Sequence, residues 1–332
     1  MLAKWKVWWL PVLVWIGGSG IAHAGQANPF VQLVQQKRFQ EAGRAIDARL
    51  ARHADDPAAL AARAELMVAR AAPGTLAQAH ETAQRCVRAN PDSSLCAEAL
   101  GIVLAAQARA GGLLGKVRHA RAIRDAFERA ILLDPMNYRA RVALLRLYLA
   151  TPFFLGGSET RARELASEAL LTNPDLTRLL RALCALDEGK LDDAEQYLLA
   201  ADLGAYPLVR DSQRELLLTL ASAHLDAGRL ARSARLFGEL ARRLPDSEHG
   251  PYGLALVARA QGRLADATRH LERAVALAPR PYIFKTLGEL YEARRDRPRA
   301  IAAYQAALTG MPPLERRELR QVTAHLAQLR EP

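Results

Sequence analysis

The sequence is poor in the features that mark most enzymes and most integral membrane proteins. β-branched residues are sparse and aromatics make up 6% of the 332 residues, which turns the reading away from sheet and towards helix. None of H-E-x-x-H, C-x-x-C, G-x-S-x-G or a Rossmann glycine fingerprint occurs, so no metalloprotease, thiol-redox, serine-hydrolase or dinucleotide site is written in the chain. The eight histidines are scattered. His224 falls on a core slot, and His249 and His270 have no neighbouring ligand pair, so neither a metal nor another cofactor is expected, and no enzyme activity. Beyond residue 24 no stretch approaches the ~20 apolar residues that a membrane span requires.

What is present favours a packed helical protein. Half of the residues are hydrophobic (50%) and 24% are charged, with alanine, leucine and arginine dominant. The length allows about two domains. Lys and Arg number 46 against 35 Asp and Glu, a formal charge of +11 and a sequence pI of about 10.0. The N-terminus reads separately. Lys4 and Lys6 precede an apolar stretch from Val7 to Ile16, and Ala22-His23-Ala24 fits small-x-small cleavage. The expectation is a signal peptide over 1–24, cleaved after Ala24, and a periplasmic mature chain over 25–332. The alternative is an uncleaved anchor in the inner membrane, although Pro11 and Gly17-Gly18 interrupt the run. No cysteine follows the run, which excludes a lipoprotein anchor. Cleavage removes two positive charges from +11 and leaves +9.

A repeat organises the remainder. Counting Pro281 as position 1, Phe284 stands at 4, Leu287-Gly288 at 7 and 8, Tyr291 at 11, Ala300 at 20, Tyr304 at 24, Ala307 at 27 and Pro312 at 32. Small residues at 8, 20 and 27 allow two antiparallel helices to approach; large ones at 4, 7, 11 and 24 fill the space between them; the proline ends the second helix. From Glu248 the same spacing gives Leu254-Ala255, Gly262, Ala267, Leu271, Ala274 and Pro279, and from Arg214 it gives Leu220-Ala221, Gly228, Ser233, Phe237 and Pro245. Gly189, Ala194 and Leu198 mark a further turn and second helix, as do the pairs Cys86 with Pro91, Ala130 with Pro135 and Ala169 with Pro174. Phe39 to Leu50 reads as the second helix of an atypical first unit. The pattern resembles the tetratricopeptide repeat (TPR) at every signature position. The resemblance implies an all-α, right-handed α-solenoid of about eight helical hairpins, closed by a polar capping helix near Leu314–Leu329, with sub-blocks at 25–174 and 175–332.

Two places depart from the pattern. TPFFLGGSETRA (151–162) stands where the repeat has a tight turn and lengthens it by about five residues. ARAGGLLGKVRHARA, with Gly111-Gly112 and Gly115-Lys116, reads as a second enlarged turn on the same edge. Neither is a P-loop: Ala110 stands at the first glycine, Val117 follows Lys116, and no strand precedes. Ser158 reads as a helix N-cap. Phe153, Phe154, Gly156, Gly157 and Lys116 are the candidate contact residues, and two readings of Phe-Phe-Leu stay open: a cover over the core, or a partner surface. Cys86 and Cys96 flank the turn Asn90-Pro91-Asp92, where antiparallel helices bring such positions together, so a bridge is expected; the alternative is three small buried apolar residues, Cys184 among them.

TPR proteins hold partners on the groove formed by their first helices, and the resemblance carries this role to Arg139, Arg146, Tyr252, Arg259, Tyr282 and Lys285. Their mixture of aromatic and basic groups suits an acidic or extended peptide. Nucleic acid is not expected, since no recognition motif accompanies the high pI. The expected function is that of a non-enzymatic scaffold or adaptor in a cell-envelope assembly or transport complex. The alternative is a carrier of a small hydrophobic ligand associated with a TRAP-type solute transporter, with a homo-oligomer compatible with either.

Overall fold

The structure, a computed structural model, describes residues 28–36, 38–70, 74–169, 173–202 and 210–330, with nothing stated of the side chains of 210 and 211. The signal-peptide segment 1–24 lies outside the described residues. Among the described residues there are helices and no strands. Successive pairs are α1 (Pro29–Gln35) with α2 (Phe39–Arg52), α3 (Pro57–Arg70) with α4 (Thr75–Ala89), α5 (Ser94–Ala110) with α6 (Gly112–Leu133), and α7 (Tyr138–Ala150) with α8 (Glu159–Glu168). They continue as α9 (Pro174–Asp187) with α10 (Leu191–Ala200), α11 (Arg210–Asp226) with α12 (Leu230–Arg243), α13 (His249–Ala260) with α14 (Leu264–Leu277), and α15 (Pro281–Ala293) with α16 (Arg297–Thr309), before the final α17 (Arg316–Arg330). The eight expected hairpins and the terminal helix are therefore present. No helix among the described residues is long and apolar enough to cross a membrane.

The sequence places each helix by ordinary means. Asn28, Ser93, Asn137, Ser158 and Asn173 accept hydrogen bonds from the first-turn amides of α1, α5, α7, α8 and α9, each cap stabilising its helix by about 1 kcal/mol. Several hairpin turns share one closing device. Lys190 N donates to Ala185 O, Arg229 N to His224 O, Arg263 N to Ala258 O and Asp296 N to Tyr291 O, the six-to-one bond of a Schellman cap. The residue before each donor is left-handed: Gly189, Gly228 and Gly262, but Arg295 (φ 59°) in the last hairpin.

Burial follows helical spacing. On α12 the buried residues are Ser233, Leu236, Phe237 and Leu240, one stripe at i, i+3, i+4 and i+7. Small residues then receive rings. A Cβ on Gly288 would lie 2.5 Å from ring carbons of Tyr304, and one on Gly101 would lie 2.7 Å from Phe127. Gly253 meets Phe237 even more closely. Small position 8 and large position 24 of the last repeat are thus one contact, as the spacing predicts. His224 is fully buried, in keeping with its core slot.

The residues group into two compact units, Met1–Gln213 and Arg214–Pro332. In the first, α3 packs on α1, α4 and α5, so first helices of successive hairpins lie side by side. Cys86 on α4 and Cys96 on α5 are joined by a disulfide with Cα atoms 5.3 Å apart, and both are fully buried. Cys184 is free and buried, and burial pushes its thiol up to about 11. In the second unit α17 packs on α16, burying Val322 and Leu326 beside Tyr304.

One expectation is corrected. Gly111–Lys116 does not form an enlarged turn. Gly111 ends α5 and opens α6, and only Gly112 is left-handed (φ 61°). A Cβ on Gly115 would come within 2.8 Å of the Ala108 carbonyl oxygen, so this glycine lets the two helices meet at a tight corner. The inserted residues extend α6 to 22 residues, and Lys116 lies in its second turn.

Candidate functional site

Each of the two units presents its own ladder of first helices. In the unit Met1–Gln213, Arg139 on α7 reaches back 74 residues in sequence to Glu65 on α3, 2.7 Å from Oε2. Its other terminal nitrogen lies 3.0 Å from Glu98 Oε1 on α5. Both carboxylates are buried, and Asn137 Nδ2 donates to Glu98 Oε2 at 2.9 Å. Burial raises the Glu98 carboxyl above its ordinary range; Arg139 pulls it back and Glu65 adds to the rise. Arg139 therefore acts as an internal clamp between three hairpins, its side chain 14% exposed, and not as a free groove cation. Arg146 lies further along the same helix, half-buried. Arg141, which the sequence did not single out, is buried and donates to the carbonyls of Leu165 and Pro135 and to Glu168.

In the unit Arg214–Pro332 the ladder runs over α13, α15 and α17. The rings of Tyr252 and Tyr282 meet edge to face with centroids 4.8 Å apart. The Tyr252 hydroxyl lies 3.2 Å from Thr286 Oγ1, and the Tyr282 hydroxyl 3.5 Å from Glu248 Oε1 and 3.4 Å from His249 Nδ1. Burial first, and then Glu248, holds Tyr282 in its neutral phenol form well above the ordinary tyrosine value. Arg259 pairs with Glu289 at 2.8 Å, and Lys285 with Glu318 at 3.0 Å. These contacts span 30 to 34 residues in sequence, about one repeat each, so they join neighbouring helices of the ladder. The sequence-predicted Tyr252, Arg259, Tyr282 and Lys285 are thus brought together on one face, half-buried or exposed. An acidic partner would have to compete with Glu289 and Glu318 for the two cations.

A further surface is the lengthened turn after α7. Pro152 leads into a short 3₁₀ turn, Phe153–Leu155, and Gly156 follows in left-handed geometry (φ 97°). Gly157 lies against the Thr151 carbonyl with no room for a side chain, and Ser158 N donates to Tyr148 O at 3.0 Å. Ser158 caps α8 as expected. The Tyr148 hydroxyl donates to Glu128 at 2.6 Å, and burial followed by that carboxylate pushes the phenol up to about 12. The two readings of Phe-Phe-Leu are now separated: Phe153 is 86% exposed and Phe154 71%, so neither covers the core. Arg124 of α6 lies over Gly156, and between α6 and the turn opens a cleft of about 400 Å³ whose walls include Val117, Arg121, Phe153 and Phe154. Leu113 and Leu114, at 72% and 83% exposure, extend the apolar surface. The sequence reading missed both, although a Leu-Leu pair between glycines was visible.

With these helices placed, comparison with solved structures decides the architecture. Yeast Tom70 superposes with a TM-score of 0.62 at 13% identity, covering 95% of this chain and 67% of that one. This is a TPR fold. A TPR protein from Parabacteroides merdae (TM-score 0.41, 14% identity, covering 91% of this chain and 100% of that one) and Pseudomonas aeruginosa PilF (TM-score 0.42, 12% identity, covering 79% and 95%) also match, more distantly. No family model matches the chain, and no curated protein matches it in sequence. At such identities the likeness to TPR structures speaks for the fold alone.

Proposed function

We propose that the protein is a non-enzymatic TPR scaffold, exported to the periplasm, that binds a protein partner on the first-helix faces of its hairpins. The observation that carries this reading is the Tyr252–Tyr282 pair with Arg259 and Lys285 on one face of consecutive first helices. Tyrosine and arginine anchors on a rigid, pre-formed surface are what protein interfaces concentrate their energy in. Export rests on the sequence of 1–24, and an exported TPR protein meets partners of the cell envelope. The test is a benzoylphenylalanine crosslinker in living cells at Arg259, with Arg273 on the second helix α14 as control. A crosslinked species heavier by a whole protein from position 259, and not from 273, supports the reading; no such species, or equal yields, refutes it.

The second reading, a carrier of a small apolar ligand of the kind associated with TRAP-type transporters, draws on the cleft beside Phe153 and Phe154, whose volume of about 400 Å³ is that of a small-molecule site. It predicts a ligand of small-molecule mass that leaves on denaturation, and loss of that ligand on Val117→Trp.

A further inference from the structure

The exposed corner of the first unit combines two features. One is apolar area. Leu113, Leu114, Phe153 and Phe154 are all more than two-thirds exposed, Val117 is 49% exposed, and the two phenyl rings stand edge to face at 5.7 Å, presenting both to solvent. Such a patch on a rigid helix is a contact surface, not a stray residue. The other is charge of one sign. From residue 99 to 124 the chain has Arg109, Lys116, Arg118, Arg121 and Arg124 and not one acidic residue. Arg118 is exposed and makes no ion pair among the described residues. Arg121 is 87% exposed and only loosely paired, 3.6 Å from Asp125. The next two carboxylates, Asp125 and Glu128, lie 3.1 Å and 3.8 Å from Arg124 and offset that arginine, which is therefore left out of the headgroup-facing set.

On α6 these groups emerge together. Leu113, Leu114 and Val117 form an apolar stripe over the first two turns, with Arg118 and Arg121 beside it, and Phe153 and Phe154 continue the stripe from the neighbouring turn across the cleft. A helix of this kind lies in the plane of a bilayer surface, apolar side chains entering the acyl boundary while long basic side chains extend to the phosphates. The charge complement selects an anionic surface.

We propose that this corner is a membrane-contact site for bilayers carrying anionic phospholipid, with Leu113, Leu114, Phe153 and Phe154 entering the interface and Lys116, Arg118 and Arg121 facing the headgroups. This goes beyond the scaffold reading and leaves the face around Tyr252 and Tyr282 to the protein partner.

The test is co-sedimentation of the protein with vesicles of phosphatidylcholine alone or mixed with phosphatidylglycerol. Three variants are compared: F153S/F154S, K116Q/R118Q/R121Q, and the control R88Q/R317Q/R320Q, which removes three exposed arginines elsewhere. All keep the N-terminal segment unchanged, so any affinity it has for lipid is common to them, and all alter exposed or half-buried side chains, so matching urea midpoints verify the fold. The wild type is expected to bind mixed vesicles in preference to neutral ones. Removing the three patch cations should weaken that binding about 100-fold, and removing the two phenyl rings at least ~10-fold, with the control close to wild type. Equal binding to both vesicle types, no binding, an unaffected F153S/F154S variant, or a control that loses as much as the patch variant would each overturn the proposal; binding lost for an envelope protein instead of vesicles would assign the patch to a protein.

Discussion

Replacing Gly288 by alanine asks whether the repeat needs a small residue at its eighth position for the reason given. Two effects oppose. Within a helix alanine is favoured over glycine by about 1 kcal/mol. Against this, the new methyl would lie 2.5 Å from the Tyr304 ring. That ring cannot swing aside: Tyr304 is fully buried, its hydroxyl donates to Glu292 at 2.8 Å, and it stacks on His325 at 5.6 Å between centroids. Overpacking against a fixed neighbour costs about 1–3 kcal/mol, and a contact this close belongs at the upper end. The net expectation is a loss of about 2 kcal/mol, the ~3 of overpacking less the ~1 of propensity. Gly238 supplies the control, because it lies in α12 of the same unit and a Cβ there meets nothing within 4 Å. Gly238→Ala should therefore stabilise by about 1 kcal/mol. Urea unfolding followed by circular dichroism compares the two in one transition, provided the slope is unchanged. If both substitutions move the midpoint in the same direction, the close approach of Gly288 to Tyr304 does not govern that position.

Three other perturbations have expected outcomes. Arg295→Gly should stabilise by about 1 kcal/mol in thermal or chemical unfolding, since Arg295 occupies the left-handed Schellman position that glycine fills in Gly189, Gly228 and Gly262, and its side chain is exposed; an unchanged midpoint would mean that the αL cost is recovered elsewhere. The Cys86–Cys96 bridge closes a loop with a sequence separation of 10, so the double alanine variant should lose somewhat under about 3 kcal/mol, and thiol labelling of the unfolded, unreduced protein should count Cys184 alone; three reactive thiols would refute the bridge. Burial and then Glu292 raise the Tyr304 phenol above its ordinary value. An unfolded tyrosine ionises near ~10, so the stability this group contributes is intact below that pH and drains away as pH rises above it. Tyr304→Phe should flatten the alkaline decline in unfolding midpoint, and an identical decline would assign it to other groups.

Much of the fold was legible because it rests on local spacing. Gly288 with Tyr304 and the turns at Gly189, Gly228 and Gly262 are set by positions within one repeat, and the opposed Cys86 and Cys96 by the short turn between one repeat and the next, so periodicity exposes them. The site was legible only in part. Position within a repeat placed Tyr252 and Tyr282 on one face, but not what holds Arg139, whose partner Glu65 is 74 residues away and is reached only after three hairpins stack. Gly111 and Gly115 misled for a different reason. Glycine pairs read as loops, yet Gly115 is present because the Ala108 carbonyl leaves no space for a Cβ, a packing demand that leaves the helix intact. The exposure of Phe153 and Phe154 likewise depends on where α6 ends up, which no local rule supplies.

The scaffold reading is tested most directly by native mass spectrometry of the protein purified gently from the cell envelope. The account predicts a complex heavier than the protomer by the mass of another protein, dissociated by substitutions at Tyr252 and Tyr282. Added mass of small-molecule size, lost on denaturation and independent of those two tyrosines, would contradict it and favour a ligand carrier.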